Sequence, residues 1–334
     1  MFSESHLKMS RTFTQFCFPS VSPSSLVIEV DFLSSFALPV LRFIVKLPSY
    51  ALYHLWTLFL FTKSDIKTTV IPITSLAVAS APLGDISHLP HVIFWIWFHV
   101  LQFDVSNQTL KPEEDEYNKR DRPLPAKRIT WRNALILRWV LVPACWILSS
   151  FYSVETVYAS IALCILTYVY DEMGYAAGHW FGRNFVNALG FMSFEVGACL
   201  IAGSNRHALD HISWLSVLCS AGIFATTIQA QDFKDTEGDR LVGRKTLPIV
   251  APTVARPTLL LALLAWSIGL STLWQLSTTV ALAFNVLAIA VGARFVSLKS
   301  IKADQRSFYL YNVWLSVAHA LPAYFRFIAQ APVF

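Results

Sequence analysis

Three aspartates in the second half of the chain carry the clearest chemistry in the sequence. Asp232, Asp235 and Asp239 are spaced i, i+3 and i+7 within the run Asp-Phe-Lys-Asp-Thr-Glu-Gly-Asp. On a helix this spacing brings three carboxylates to one face, where they repel one another unless cations lie between them. Hard cations such as Mg²⁺ take oxygen ligands and often bridge to a substrate's phosphates. The triad therefore predicts a metal–phosphate site; the alternative is a solvated charged loop between apolar helices.

Basic side chains are interleaved with this triad. Lys234, Arg240, Arg244 and Lys245 all lie within the same segment, which a glycine at 243 interrupts. Lysine and arginine form strong, charge-assisted hydrogen bonds to phosphate oxygens. The segment thus offers ligands both for a divalent cation and for the phosphates that the cation would bridge.

A second charged segment follows an apolar run that ends near residue 107. Asn107 and Asp115 are eight residues apart, about two helical turns, so they share a face if the helix continues past Pro112. Glu114 adds a carboxylate and Arg122 adds a fork-shaped donor for phosphate. Taken alone, this segment is equally well interpreted as a loop that only sets topology. Together with the triad, it predicts the second half of a metal–diphosphate site.

The composition places both segments in a membrane protein. Of the 334 residues, 55% are hydrophobic and 14% are charged, whereas a soluble domain carries about 25% charged residues. An interfacial or partly embedded helix is predicted over 32–62. Apolar runs near twenty residues then predict about nine spanning helices, at roughly 66–81, 87–107, 131–150, 153–171, 181–203, 208–231, 256–275, 278–298 and 308–328. The predicted fold is an all-α polytopic membrane bundle, with an N-terminal segment over 1–62 and one transmembrane catalytic domain over 63–334.

The loop charges predict an orientation. The loops at 108–132, 232–247 and 299–306 carry most of the Lys and Arg, whereas the loops between them carry only Arg206. By the positive-inside rule, both motif-bearing loops face the cytosol. The net charge of +5 is therefore a topology signal, and we expect no nucleic-acid partner and see no sign of a protein partner. The five cysteines are scattered, so neither a disulfide framework nor a thiolate metal site is expected.

Over roughly residues 60–330 the chain resembles the UbiA superfamily of membrane prenyltransferases. That family has nine transmembrane helices and two Asp-rich motifs, which hold Mg²⁺ and an isoprenyl diphosphate. Its second motif, DxxDxxGD with a Gly-Arg/Lys-Lys-Thr-Leu-Pro tail, is matched between Asp232 and Pro248. Its first motif, NDxxDxxxDxxNxxxRPLP, is matched at Asn107, Asp115, Asn118 and the run Arg122-Pro-Leu-Pro. The resemblance implies a UbiA-like bundle around a diphosphate site.

The first motif also departs from the family pattern. Gln108 and Lys111 stand where the family usually has aspartates, and Glu114 is a candidate replacement ligand. This altered form is similar to fungal members that cyclise a prenyl diphosphate instead of transferring it. The resemblance therefore implies an integral membrane class I terpene cyclase, a diphosphate-releasing lyase of terpenoid secondary metabolism, acting on farnesyl or geranylgeranyl diphosphate. A prenyltransferase that uses an aromatic or other acceptor is the alternative, and the triad argues against a non-catalytic transporter or scaffold.

The resemblance and the chemistry of the residues together predict a role for each candidate residue. Catalytic roles fall to Asp115, Asp235 and Asp239. The predicted ligands of the cofactor Mg²⁺ are Glu114, Asp115, Asp232, Asp235 and Asp239. The predicted contacts to the diphosphate are Asn107, Lys111, Asn118, Arg122, Lys234, Arg244, Lys245 and Asn184. The expected partners are the isoprenyl diphosphate and the lipid bilayer, and the expected location in a eukaryote is the endoplasmic reticulum membrane.

Aromatic and polar side chains near the same helix ends suit such a reaction. A carbocation survives in a dry cavity whose aromatic faces attract cations. The aromatic candidates are Phe94, Trp95, Trp97, Phe98, Phe103, Tyr168, Tyr170, Tyr175, Trp180, Phe181 and Phe185. Polar groups at membrane depth are costly and usually face a cavity or a neighbouring helix. We expect the cavity for Asp171, Asn184 and Gln229, and interhelical hydrogen bonds for Glu195 and His319.

Overall fold

The computed structural model describes residues 48–110, 115–116 and 119–330. The chain divides into two compact units between Leu55 and Trp56. Residues 48–62 are helical; the part of the predicted interfacial helix before them lies outside the described residues. That helix's interfacial position and the predicted domain boundary at 62/63 stay predictions.

Nine helices of ten or more residues follow residue 63 in the described part of the chain. They are α1 (Ile71–Ser80, preceded by the π-helical turn Ile66–Val70), α2 (His88–Leu110), α3 (Trp131–Ser150), α4 (Val154–Asp171), α5 (Trp180–Ala202), α6 (His211–Thr227), α7 (Pro252–Leu273), α8 (Thr278–Ser297) and α9 (Ile301–Tyr324). Helices adjacent in sequence pack against each other along most of the bundle, and α9 returns to pack along α1. The predicted all-α bundle is confirmed.

Six of these helices are long and apolar enough to cross a membrane: α3, α4, α5, α6 with the turns that continue it to Leu241, α7 and α8. Helix α1 is short, and its apolar stretch with the preceding turn covers Ile66–Ser80. Helices α2 and α9 have the length but carry many buried polar side chains, among them Asp104 and Asp304. A count of nine spanning helices therefore stays a prediction.

Local sequence signals explain where several helices begin. Thr130, Ser153, Asp210 and Ser300 cap the N-termini of α3, α4, α6 and α9, each with a side-chain oxygen that accepts from the backbone NH three residues later. Such a cap satisfies one of the four NH groups that a helix start leaves without a partner. These caps fix where the four helices begin.

The interior of the bundle contains the interhelical contacts predicted for its deeper polar groups. Ser220 of α6 hydrogen-bonds to Glu195 of α5, and its Oγ lies 2.9 Å from Nε2 of His319 in α9. Helices α2 and α5 approach closely because Gly197 faces Trp95, whose ring would lie 2.3 Å from any Cβ at that position. This contact holds together α2 and α5, both of which carry polar residues at the same end of the bundle.

Candidate active site

A cavity of about 500 Å³ lies between the ends of five helices. Its wall contains residues near the C-terminal ends of α2, α4 and α6 and near the N-terminal ends of α5 and α9. Both sequence motifs contribute to this wall: the predicted site residues that line it are Asn107, Asp115, Arg122, Asp232, Lys234, Asp235, Asp239 and Arg244. The two motifs, more than a hundred residues apart in sequence, therefore form one site.

The triad segment is less regular than a single helix. Asp232 lies between the 3-10 turns Ile228–Gln231 and Phe233–Asp235, and Asp239 belongs to the short helix Thr236–Leu241. In a 3-10 turn, residues i and i+3 lie one above the other. The expected alignment on one face is therefore preserved by a different backbone geometry, and all three carboxylates reach the cavity.

Each carboxylate of the triad has its own cationic partner. Asp232 accepts from Arg183 of α5 at 2.9 Å, and Asp239 accepts from Arg244 at 3.1 Å. Asp235 contacts the adjacent Lys234. Two cations that we predicted to bind phosphate, Lys234 and Arg244, thus lie beside carboxylates that we predicted to bind metal, and with Arg183 they offset the negative charge of this wall.

Gly243 makes the contact between Arg244 and Asp239 possible. Its φ of +73° lies in the left-handed region, which glycine adopts without the steric cost that other residues meet. The chain turns there after the helix Thr236–Leu241, and the backbone NH of Arg244 donates to the carbonyl of Asp239 at 2.9 Å. The motif therefore has a glycine at this position because the turn needs a positive φ.

The residues present fit the magnesium ion that the motifs imply. Within the described ranges, no group of three or more His, Cys, Asp or Glu side chains is preassembled as a metal site. However, Oδ2 of Asp239 and Oδ2 of Asp104 are buried and accept no hydrogen bond from the described residues. A buried carboxylate oxygen without a partner is costly, and a divalent cation would satisfy it. The triad oxygens and the substrate's phosphates together suit Mg²⁺, which keeps few protein ligands.

The first motif contributes a second charged wall. Arg122 Nη1 lies 2.8 and 3.0 Å from the two carboxylate oxygens of Asp115. Burial lowers the pKa of Arg122, but the carboxylates of Asp115, Asp104 and Asp65 raise it by more, so its pKa lies above the ordinary value. Arg122 therefore remains a fixed positive charge at this wall.

Asn107 is held in place by a carboxylate from another helix. Its Nδ2 donates to Asp171 at 2.9 Å, and the hydroxyl of Ser106 donates to the same carboxylate at 2.8 Å. Asp171 also lines a small cavity of about 50 Å³ beside the main one, next to Asp115 and Arg244. Asp171 therefore lies near the site, as predicted, and its carboxylate orients Asn107.

Among the lining residues that the sequence reasoning missed, three are charged groups close to the motif residues. Asp65 and Asp104 face the cavity from outside both motifs, and Lys119 faces it from the first-motif loop, where we interpreted this lysine only as part of the topology signal. Burial raises the pKa of Asp65, yet Lys119 and Arg122, with hydrogen bonds from Thr68 and Ser64, lower it below the ordinary value. Burial and the nearby Arg122 lower the pKa of Lys119. An aspartate within an apolar run, as at position 104, was the available signal.

Some predicted site residues are not among those that line the cavity. Lys245 is exposed, and its segment pairs with His179 through a backbone bridge. Asn184 is buried away from the lining, whereas Asn187, nearly one turn later in α5, lines the cavity. Both asparagines lie at this end of α5, and the rotation of the helix about its axis turns Asn187 to the cavity. Lys111, Glu114 and Asn118 lie outside the described residues.

The deeper part of the cavity is apolar and aromatic. Phe191 of α5 stacks on Phe224 of α6 with 3.7 Å between ring centroids, and the hydroxyls of Tyr311 and Thr227 are 2.8 Å apart. The other aromatic lining residues are Phe103, Tyr170, Phe194, Phe308 and Tyr309. Of the aromatic candidates from sequence, Phe103 and Tyr170 line this cavity, and five others are exposed at the bundle surface: Phe94, Tyr168, Tyr175, Phe181 and Phe185.

Comparison with known proteins agrees with this geometry. The family model for the UbiA prenyltransferase family matches residues 69–316. The chain belongs to the UbiA prenyltransferase family. With its six apolar helices, this UbiA member is an integral membrane protein. The matched range contains both sequence motifs and most of the helices that position them.

Individual relatives refine the placement within the family. The chain is 34% identical over 297 residues to a fumagillin β-trans-bergamotene synthase of Aspergillus fumigatus, covering 86% of this chain and 99% of that protein. It is 25% identical over 272 residues to a diterpene cyclase of Hericium erinaceus, covering 75% and 82%. A UbiA homologue from Archaeoglobus fulgidus, solved with GPP and Mg²⁺, superposes with a TM-score of 0.59 at 14% identity, covering 80% and 99%. That superposition confirms the UbiA-like fold.

Proposed function

We propose that this protein is a membrane-bound class I terpene cyclase, which ionises an isoprenyl diphosphate with Mg²⁺ and closes the resulting carbocation into a terpene. The observation that carries the proposal is the cavity itself, charged at its mouth and aromatic at its floor. Along α5, Arg183 lies at the mouth and Phe194 at the floor, eleven residues apart, or about 16 Å of helix. A long apolar tail with a diphosphate head fits this polarity.

The mouth is suited to the departure of diphosphate. Arg122, Lys119, Lys234 and Arg244 face the cavity from both motifs and would hold the phosphate oxygens, because fixed cations stabilise the charge that develops on a leaving group. Asp232, Asp235 and Asp239 would hold Mg²⁺, which supplies further positive charge to the departing group. The allylic C–O bond then breaks, and its electron pair leaves with the diphosphate.

The floor is suited to the carbocation. Aromatic faces from α5, α6 and α9 surround the space beyond the charged mouth, and such faces attract a cation in a dry cavity. Internal alkenes of the tail close the ring, and loss of one proton yields the hydrocarbon. The similarity to a named synthase and a named diterpene cyclase supports cyclisation, and the farnesyl and geranylgeranyl diphosphates are the substrates to test.

The alternative is transfer of the isoprenyl group to an aromatic or other acceptor, which the family's description as prenyltransferases supports. Purified protein should receive farnesyl or geranylgeranyl diphosphate and Mg²⁺ without acceptor, and the headspace should be analysed by gas chromatography with mass spectrometry. A cyclic hydrocarbon, absent with an Asp239→Asn control, is the expected result. Diphosphate release only when an aromatic acceptor is added would overturn cyclisation in favour of transfer.

The proposal includes an orientation in the membrane. Lys and Arg are concentrated in the loops that carry the two motifs, so the mouth of the cavity would face the cytosol, in the endoplasmic reticulum if the cell is eukaryotic. A protease-cleavable tag inserted after Arg128 should be cut in sealed right-side-out microsomes without detergent. A tag in the 204–207 loop serves as the matched control and should be cut only after detergent is added.

A further inference from the structure

Two carboxylates face the cavity from outside the sequence motifs. Asp104 lies on α2, and Asp65 directly precedes the π-helical turn Ile66–Val70. Both line the same cavity, and their charges are close enough to repel each other. Two carboxylates so close need a shared proton or a cation between them.

At position 108, where the family usually has an aspartate, this chain has a glutamine that makes a structural contact. Gln108 is buried, its Nε2 donates to the carbonyl of Phe61 at 3.0 Å, and it is not among the residues that line the cavity. Asp115, the matched aspartate, is bound through both oxygens to Arg122. Among the described residues, Asp115 thus differs from Asp239, which keeps one oxygen without a hydrogen bond, and a cation at this wall would draw on further carboxylates.

Asp104 and Asp65 are two such carboxylates. Asp104 is only 3% exposed, and its Oδ2 accepts no hydrogen bond within the described part of the chain. Asp65 is oriented by the hydroxyls of Thr68 at 2.8 Å and Ser64 at 3.0 Å. The π-helical turn that follows Asp65 is a backbone irregularity of the kind that is common at functional sites.

We infer that Asp65 and Asp104 form a relocated metal site, in which one divalent cation lies between the two carboxylates and binds the diphosphate from the wall opposite the triad. Mg²⁺ is commonly held by one or two carboxylates together with substrate phosphates, which is the ligand set available here. Lys119 and Arg122, whose charges act on Asp65, would instead bind the phosphate oxygens of the diphosphate. The inference rests on the proposed function, because it needs a diphosphate in the cavity.

The test counts metal ions instead of turnover. Full-length protein in detergent should be dialysed against Mn²⁺ with saturating inorganic pyrophosphate, and bound Mn²⁺ should be measured by electron paramagnetic resonance. Asp104→Asn and Asp65→Asn should each bind about one Mn²⁺ fewer per chain than the wild type. Asp121→Asn is the matched control, because Asp121 also lines the cavity but is exposed and paired with Lys63 at 2.8 Å; it should bind as many Mn²⁺ ions as the wild type.

The outcomes separate this inference from the proposed function. If wild type binds Mn²⁺ and both asparagine variants bind the same number with the same affinity, the pair shares a proton and the relocated site is refuted, while the cyclase stands. If wild type binds no Mn²⁺ with pyrophosphate, the metal-dependent function fails as well. Asp104→Glu keeps the carboxylate and should restore the lost ion at weaker affinity, which excludes misfolding as the cause of the loss.

Discussion

The two walls of the cavity are built in different ways. The wall from Asp232 to Arg244 comes from thirteen consecutive residues plus Arg183, and each of its carboxylates contacts a cation. The other wall is assembled from Asp65, α2 and the loop residues Asp115, Lys119 and Arg122, and there Asp104 and Asp65 both line the cavity. Local spacing places all the groups of the first wall except Arg183, whereas the second wall exists only once distant segments have packed together.

The difference indicates which substitutions each wall tolerates. A contiguous motif keeps its geometry through short turns and one glycine, so its site residues can be recognised from the sequence pattern. In a wall built from several segments, a ligand lost from one segment can be supplied by another, which is the exchange that we infer for Gln108 and Asp104. The following experiments test whether the walls differ in this way.

The largest effect is expected from removing metal, because in the proposed mechanism both walls bind it. Dialysis against EDTA should abolish diphosphate release, and added Mg²⁺ should restore it, since the triad carboxylates would otherwise repel both one another and the substrate. Pyrophosphate release measured enzymatically checks this. Full turnover in excess EDTA would contradict a metal role for either wall.

The next effect is expected at the contiguous wall. Asp239→Ala and Asp235→Ala should each lower kcat by about 10²–10³ or more, the usual loss when one charge-stabilising group is removed. Glu237→Ala is the matched control, because Glu237 lies in the same short helix but is exposed. The control should keep near wild-type kinetics. Equal losses in all three variants would mean that the segment acts through folding.

The buried ion pair between α5 and the triad should matter for stability. Arg183→Met should destabilise the protein by about 3 kcal/mol, since it leaves the buried carboxylate of Asp232 without its cation. The apparent unfolding temperature in detergent measures this. Arg240→Met, at an exposed position in the same charged segment, should leave that temperature unchanged; an equal decrease would argue against a special role for the buried pair.

The smallest effect is expected at the glycine that returns Arg244 to Asp239. Gly243→Ala should cost about 1 kcal/mol, because alanine at a φ of +73° is strained although the surrounding space is open. Gly269→Ala also adds a methyl group into open space, but within helix α7 and without a positive φ. There the change should be neutral or stabilising by up to about 1 kcal/mol. Opposite signs in thermal unfolding would support the conformational explanation.

The sequence by itself determined the fold class, the family and the contiguous wall. Apolar runs, capping residues and the spacing of three aspartates are local properties, and the helices formed where these signals lie. The interhelical roles of Glu195 and His319 were also predictable, because a polar group inside a membrane bundle must find a partner.

Only the tertiary structure decided which side chains share the cavity. Asp65 and Asp104 are thirty-nine residues apart, and nothing in local spacing brings them together. The rotation of α5 selected Asn187 over Asn184, and the aromatic side chains that line the cavity come from α2, α4, α5, α6 and α9. These outcomes depend on how helices pack, and packing is fixed by close approaches such as Gly197 against Trp95, which join residues far apart in the chain.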